Sequence, residues 1–345
     1  MSRMLYASGI EVANLYAVFV WLSMLLLEPG GQMVAITPRS FCNGPYFKKF
    51  RATFLRMMSL TRIHVFESRK KAFGDDGVLQ ENIIYHATRE PQQPKYVTIS
   101  ASAGLEFDKT RTLSVPYGRV VHPGDRDMFI HLNVDDTDAG LAERMACFTS
   151  SLDKLGLSVS TGRVVDFRAR EHLRQSPQPG TVPLIYPCHF QQGFINWPVE
   201  SGKKPNAIVS SPETSDLFVE EGFYVLTKRF SSKEQQRRVM AAIYDPARID
   251  ARLVGLENHL NYFHKQGKGL PADLAKGLAL YLNSTIADQY FRLFSGHTQV
   301  NATDLRKMPY PTHAQLLRLG SYVKETIPDQ EAVDAMVKRE CENGE

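Results

Sequence analysis

From Asn14 to Glu28 the chain is apolar on nearly every side and free of helix breakers, a pattern that predicts a helix buried against a sheet. Pro29-Gly30-Gly31 ends it, because proline cannot continue the hydrogen-bond ladder and glycine accepts left-handed dihedrals. The short aliphatic run Gln32 to Thr37, closed by Pro38, predicts a buried parallel strand. A second helix is expected from Tyr46 to Met58, with Phe47, Phe50, Phe54 and Met57/Met58 on one side and cations on the other. Strands are expected at Arg62 to Phe66, Asn82 to Ala87 and Tyr96 to Ser100. Helix, turn, strand, helix, strand, strand is the order of part of a doubly wound α/β sheet.

The pattern changes after about residue 100. Short β-like runs follow, punctuated by Pro and Gly, at Leu113 to Pro116, Arg119 to His122, Val182 to Pro187 and Phe223 to Lys228. One helix, Ala139 to Leu155, is expected among them. Helices are expected again at Leu256 to His264 and at Pro271 to Tyr290, where Leu274, Leu278 and Leu282 stack on one face and Gly296 suits a C-cap. The fold class read from this is α/β: a partial doubly wound sheet in residues 1–110, an α+β domain in 111–325, and a tail in 326–345.

Composition changes this picture little. The chain has 345 residues, enough for two cores of ordinary size, and 43% hydrophobic with 23% charged residues exclude a disordered or fibrous protein. The net charge of +4 says little, but its distribution says more. Nine Lys/Arg between Pro38 and Lys71 face the single acid Glu67, a local field suited to phosphate and equally to a solvated helix face. Acids dominate from Glu325 to Glu345, which reads as an exposed, frayed tail. Cys42, Cys147, Cys188 and Cys341 show no C-x-x-C spacing, so neither a disulfide framework nor a zinc site is expected, and a reducing cytoplasm is. The apolar run Leu15 to Leu27 falls short of the roughly 20 residues that span a bilayer, so no membrane partner is expected.

Three stretches carry a resemblance. N-L-Y-A-V-F-V-W-L-S-M-L-L-L-E-P-G-G-Q-M-V-A-I-T-P-R-S-F is similar to the second half of the catalytic domain of adenine-specific DNA methyltransferases of restriction–modification systems. R-I-H-V-F-E-S-R-K-K-A-F-G-D-D-G-V-L-Q-E-N-I-I-Y resembles the strand and adenine-pocket loop that follow there. L-N-S-T-I-A-D-Q-Y-F-R-L-F-S-G-H-T-Q-V-N-A-T-D-L-R-K-M-P-Y-P resembles the end of the target-recognition domain. The resemblance covers most of the chain. It implies double-stranded DNA as partner, S-adenosylmethionine as methyl donor, and a cognate restriction endonuclease encoded nearby.

Asn43-Gly44-Pro45-Tyr46 is one residue from the Asn-Pro-Pro-Tyr with which this family holds a flipped adenine. In the family, however, that tetrapeptide precedes the apolar helix, whereas here it follows the strand after it. Asn43 and Tyr46 are therefore read as a decoy, with Pro45 entering the basic helix. No Gly-x-Gly loop follows a strand either. The expectation is a methyltransferase portion whose cofactor loop and catalytic tetrapeptide come from elsewhere, a second chain being one source. The alternative is a non-catalytic DNA-binding or specificity subunit, or an inactive remnant.

For the base pocket the resemblance nominates Phe73, with core packing the competing role. For DNA phosphates the candidates are Arg39, Lys48, Lys49 and Arg51, and the basic pairs Lys203-Lys204 and Lys228-Arg229; Arg237-Arg238 extends the set. Ser295, His297, Thr298, Gln299 and Asn301 place donors and acceptors on a turn before a short helix, which suits DNA and equally a helix cap. His64, His86 and His189 have no metal-like spacing and receive no role.

Overall fold

The computed structural model describes residues 14–44, 47–66, 82–102, 110–132, 141, 144–200, 202–231, 235–294 and 299–342. The chain divides into two compact units, residues 1–139 with 293–297, and 140–292 with 298–345. The strand Arg111–Pro116 belongs with the first unit. The architecture is mixed α/β with several mixed sheets.

In the first unit, α1 (Leu15–Leu26) leads through Pro29-Gly30-Gly31 into β1 (Gln32–Pro38). Gly30 has φ of +80°, and a Cβ on Gly31 would stand 2.8 Å from the Glu28 carbonyl oxygen, so both glycines are required by the turn. α2 (Lys48–Met57), β2 (Ser59–Phe66), β3 (Asn82–Thr88), β4 (Tyr96–Ser102) and β5 (Arg111–Pro116) complete the unit, with sheet order β1-β3-β2-β4-β5. Here the sheet departs from the doubly wound expectation. Only β2 and β4 pair in parallel, while β1 is an antiparallel edge strand on β3.

The edge position explains a second departure. β1 turns Met33 and Thr37 inward but leaves Val34 and Ile36 largely exposed, so it is not buried on both faces. α1 likewise buries Ala17, Val18, Val20 and Met24 while Leu15, Phe19, Leu25 and Leu26 remain exposed. Beneath the buried side lies an aromatic core in which Phe41, Phe50, Phe54 and Tyr85 meet edge to face, with centroids 5.5–5.9 Å apart. Arg119 to His122, expected as a strand, is instead the end of the helical turn Tyr117–Val120 and the bend that follows it.

The second unit is built on two sheets. Its shorter strands are β6 (Ser158–Thr161), β7 (Leu173–Arg174), β9 (Phe190–Gln191), β10 (Phe194–Ile195), β11 (Ala207–Val209) and β12 (Phe218–Glu220). The strands that position the site are β8 (Thr181–Ile185), β13 (Tyr224–Lys228), β14 (Ala241–Tyr244), β15 (Leu253–Leu256) and β16 (Leu260–His264). One sheet has the order β6-β16-β13-β14-β10-β9 and the other β12-β15-β8-β11-β7. Leu256 to His264, expected as a helix, is thus the end of one strand, a turn, and the whole of another. Leu-Asn-Tyr-Phe-His is buried at every position, and a strand with both faces covered lacks the alternation that separates strand from helix.

The helix expected at Pro271 to Tyr290 breaks at Asn283-Ser284 into α3 (Ala272–Leu282) and α4 (Thr285–Phe294). Leu274, Leu278 and Leu282 are buried together as expected. α5 (Ala302–Arg306) and α6 (His313–Ser321) follow. A Cβ on Gly277 would lie 1.8 Å from the Leu316 carbonyl oxygen and one on Gly320 1.9 Å from that of Asp273, so α3 and α6 touch backbone to backbone. Residues 147–155 are turns and irregular backbone, not the helix expected to Leu155, and Ser150 pairs with Tyr310 instead.

The C-terminal segment read as a frayed tail contains α7 (Gln330–Glu342), whose Val333, Val337 and Glu340 are buried. Arg318 holds the Glu340 carboxylate at 2.7 Å, and a disulfide joins Cys147 to Cys341, with Cα atoms 5.4 Å apart. That pairing replaces the expectation of unpaired cysteines; its two members lie 194 residues apart, where spacing carries no signal. Cys42 and Cys188 are free thiols. No helix among the described residues is long and apolar enough to cross a membrane, and none of their side chains form a metal-binding group.

Candidate nucleic-acid interface

β8 and β15 run in parallel, with Ile185 beside Leu256, so the chain leaves both strands at the same end. Tyr186 and Glu257 follow directly, and the Glu257 N–H donates to the Ile185 carbonyl at 3.1 Å. Residues 257–259 then carry the chain from one sheet to the other. Asn258 donates to Val164 at 2.8 Å, which brings Asp166 close, and Arg229 at the end of β13 donates to the His259 carbonyl at 2.8 Å.

The side chains collected there are polar and mutually held. The Glu257 carboxylate is fully buried and accepts from the His259 backbone N–H at 2.9 Å and from His259 Nδ1. Burial pushes this carboxyl up, and the bonds from His259 oppose that. Asp166 accepts from the Tyr186 hydroxyl at 2.8 Å and from Lys204 at 2.7 Å, while Lys204 lies 4.9 Å from the centre of the Tyr186 ring. The bond to Asp166 raises the Lys204 ammonium, and burial followed by the same carboxylate raises the Tyr186 phenol. Arg229 donates to Asn258 O at 2.6 Å and to Gln299 Oε1 at 3.1 Å. Burial lowers it, with Glu257 opposing, and burial lowers Lys228 as well.

Two aromatic rings stand out from this cluster into solvent. Phe230, next to Arg229, is 47% exposed with its ring 4.7 Å from that of His259. Phe167, next to Asp166, is 77% exposed with the Arg168 guanidinium 5.4 Å from its centroid. Exposed aromatics beside cations are the elements with which proteins stack on nucleic-acid bases.

Of the residues nominated from sequence, the structure brings Lys204, Lys228, Arg229 and Gln299 into this cluster. Lys203 is exposed beside it in sequence. Asn301 instead caps α5, its N–H and Nδ2 both donating to Asp304 at 3.4 and 3.2 Å. Arg238 is buried, its N–H donating to Asp288 at 2.7 Å and its Nε to Ser231 at 3.1 Å, and Arg237 is held by Asn283. That basic pair therefore lines no groove.

In the first unit Lys49 is exposed, Arg39 half-buried, and Lys48 pairs with Asp127 at 3.0 Å. Arg51 requires correction as a phosphate contact. Its guanidinium is fully buried, donates to Phe41 O, Gly44 O and Asp127 O at 2.6–3.0 Å, and packs 4.9 Å from the Phe129 ring. Desolvation lowers it to about 10. It staples the turn after β1 to the 125–129 loop, and no face of it meets solvent. Asn43 is buried at the end of the turn Ser40–Asn43. Tyr46, Phe73, Ser295, His297, Thr298 and the proposed cap Gly296 lie outside the described residues.

Sequence reasoning missed Asp166, Tyr186, Glu257 and His259. In the helix expected over residues 256–264, side chains two apart do not face each other. Only the turn between two strands brings Glu257 and His259 together. β1 enters the turn Ser40–Asn43 through Arg39 with no glycine between, so this turn is not the glycine loop of a nucleotide cradle.

A mixed α/β first unit followed by a β-rich unit with a cationic, aromatic-flanked cluster suits a protein that handles nucleic acid. Residues 4–73 match the model of the Eco57I restriction–modification methylase family. The chain is 47% identical over 331 residues to the type II methyltransferase M.PstI of Providencia stuartii, covering 96% of this chain and 65% of that protein. It is 45% identical over 338 residues to the type II methyltransferase M.BsuBI of Bacillus subtilis, covering 98% of this chain and 67% of that protein. The chain belongs to this family of type II restriction–modification methyltransferases, and it spans about two thirds of the length of these curated relatives. Among solved structures, the type IIL restriction–modification enzyme MmeI in complex with DNA shares the fold over 95% of this chain and 48% of its own, with a TM-score of 0.55 at 8% identity.

Proposed function

We propose that this chain is the target-recognising portion of a site-specific DNA methyltransferase that transfers a methyl group from S-adenosylmethionine to N6 of adenine. The observation that carries this reading is the 45–47% identity to type II methyltransferases over nearly the whole chain. The first unit is the second half of a catalytic domain, and the β-rich unit reads DNA. The cofactor enters only through the family relationship. The glycine loop and the Asn-Pro-Pro-Tyr come from outside these 345 residues, on a further segment or a second chain.

The first unit supports that division of labour. Among the described residues, the exposed face of α1 and the edge of β1 that pairs with no strand are apolar surface and unpaired backbone of the kind a neighbouring structure covers. The partner half docks there in this proposal.

The test is co-expression with a reading frame that encodes a cofactor loop and Asn-Pro-Pro-Tyr, followed by mass spectrometry of digested genomic DNA. N6-methyladenine in the doubly expressing cells alone, together with protection from the cognate endonuclease, is the expected result. Duplex DNA bound without any methylated base would favour the non-catalytic specificity subunit instead.

A further inference from the structure

Phosphate sites and base-reading sites differ in their charge pattern. A phosphate is met by cations and N–H donors, and a carboxylate beside it is repulsive. A base edge presents donors and acceptors together, so its readers are mixed and rigid. The cluster at the junction of the two sheets is of the second kind. The cations Lys204, Lys228 and Arg229 share it with the carboxylates of Asp166 and Glu257. Its donors are also held in place. Lys204 is tied to Asp166, Arg229 is tied to Asn258 and Gln299, and His259 is tied twice to Glu257.

His259 is the member best placed to read. Its side chain is 44% exposed although its partner carboxylate is wholly buried. With Nδ1 engaged by Glu257, Nε2 is the nitrogen left for a ligand. From these features we infer that His259 is a specificity-determining residue that presents Nε2 to the major-groove edge of a G·C base pair. Glu257 is its positioning residue, and Asp166 with Lys204 forms an acceptor–donor pair for the neighbouring base pair. Phe230 and Phe167 bracket the cluster as apolar contacts. This inference rests on the proposal that the second unit reads DNA.

The experiment is selection of a randomised duplex pool by the full chain, sequencing of the bound fraction, and measurement of the salt dependence of binding to one fixed duplex. Wild type, His259→Ala, Glu257→Gln and Lys204→Ala are compared. The wild type is expected to select a motif containing a guanine whose preference falls about tenfold or more in His259→Ala, with the salt slope unchanged. Glu257→Gln should weaken the same position, and Lys204→Ala an adjacent one. His259→Gln, which keeps a polar partner for the buried Glu257 carboxylate and should lose the same preference, is included so that the assignment stands even where His259→Ala or Glu257→Gln does not fold. An unchanged motif in His259→Ala overturns the inference. So does a uniform loss across all sequences with the salt slope reduced by about one, which marks a phosphate contact. A wild type that binds duplex without preference overturns the inference alone, whereas one that binds no duplex removes the DNA-reading proposal with it.

Discussion

α1 and α3 are both apolar helices for which the sequence predicts burial, and they meet opposite fates. α3 buries eight residues, from Leu274 to Leu282, because β13 and β14 lie on one side and α6 presses against Gly277 on the other. α1 buries four and leaves Leu26 75% exposed, because the described residues of its unit cover it on one side only. An apolar run states that cover is needed and does not say who supplies it. Where the cover lies within the unit, the helix is a stability element. Where it does not, the same chemistry becomes an interface.

The largest expected effect is on the covered helix. Gly277→Leu drives a side chain into the Leu316 backbone, which cannot yield as a side-chain tip can, and should destabilise the second unit by about 4 kcal/mol or more. Chemical denaturation followed by the second unit's fluorescence checks this, and a loss under about 1 kcal/mol would mean that α3 and α6 slide apart freely.

Arg51→Ala is next, at about 3 kcal/mol in the first unit, since it leaves the Phe41, Gly44 and Asp127 carbonyls without their buried charged donor. Binding of duplex DNA should be unaffected once the variant is folded. A selective loss of DNA affinity at unchanged stability would restore Arg51 to the phosphate contacts.

The two faces of α1 can be separated directly. Met24→Ala, on the buried face, should cost about 2–3 kcal/mol. Phe19→Glu, on the exposed face, should change stability by less than about 0.5 kcal/mol. If the proposed cofactor-binding half docks on this face, Phe19→Glu should abolish co-purification with it, while Met24→Ala should not. The reverse pattern would place the interface elsewhere.

The smallest effect is on pH. His189 accepts the Tyr186 N–H on Nδ1 at 2.9 Å and pairs through Nε2 with Asn206, and His264 accepts the Gly267 N–H on Nδ1 at 2.9 Å. Protonation would set two donors face to face at each Nδ1, and burial holds both imidazoles below the ordinary value of 6.5. The folded chain therefore binds fewer protons than the unfolded one in mild acid. The stability these histidines provide is fully present above about 6.5 and is lost as the pH falls below it. Calorimetry from about pH 7.5 to about pH 5 should show a falling Tm, with a shallower fall in His189→Gln. An equal slope in both proteins would count against His189.

Much of the first unit was legible. The Pro-Gly-Gly turn, the aromatic face of α2 and the places of β2, β3 and β4 all follow from local chemistry, because turns and amphipathic faces are decided within a few residues. The second unit was less legible, and the candidate site within it least. Lys204, Lys228, Arg229 and Gln299 were found as polar residues, but their common location was not. Glu257 and His259 were hidden inside a segment whose uniform burial erased the period that separates strand from helix.

The sequence by itself determined family membership, the order of elements in the first unit and where the chain must turn, since each rests on residue identity or on short spacings. Only the tertiary structure decided that Arg51 is a buried staple, that Cys147 meets Cys341, that α1 leaves one apolar face exposed, and that a carboxylate and an imidazole at the junction of two sheets face each other. Those outcomes depend on which distant segments pack together. The free energy of such contacts belongs to the pair and cannot be read from either member alone.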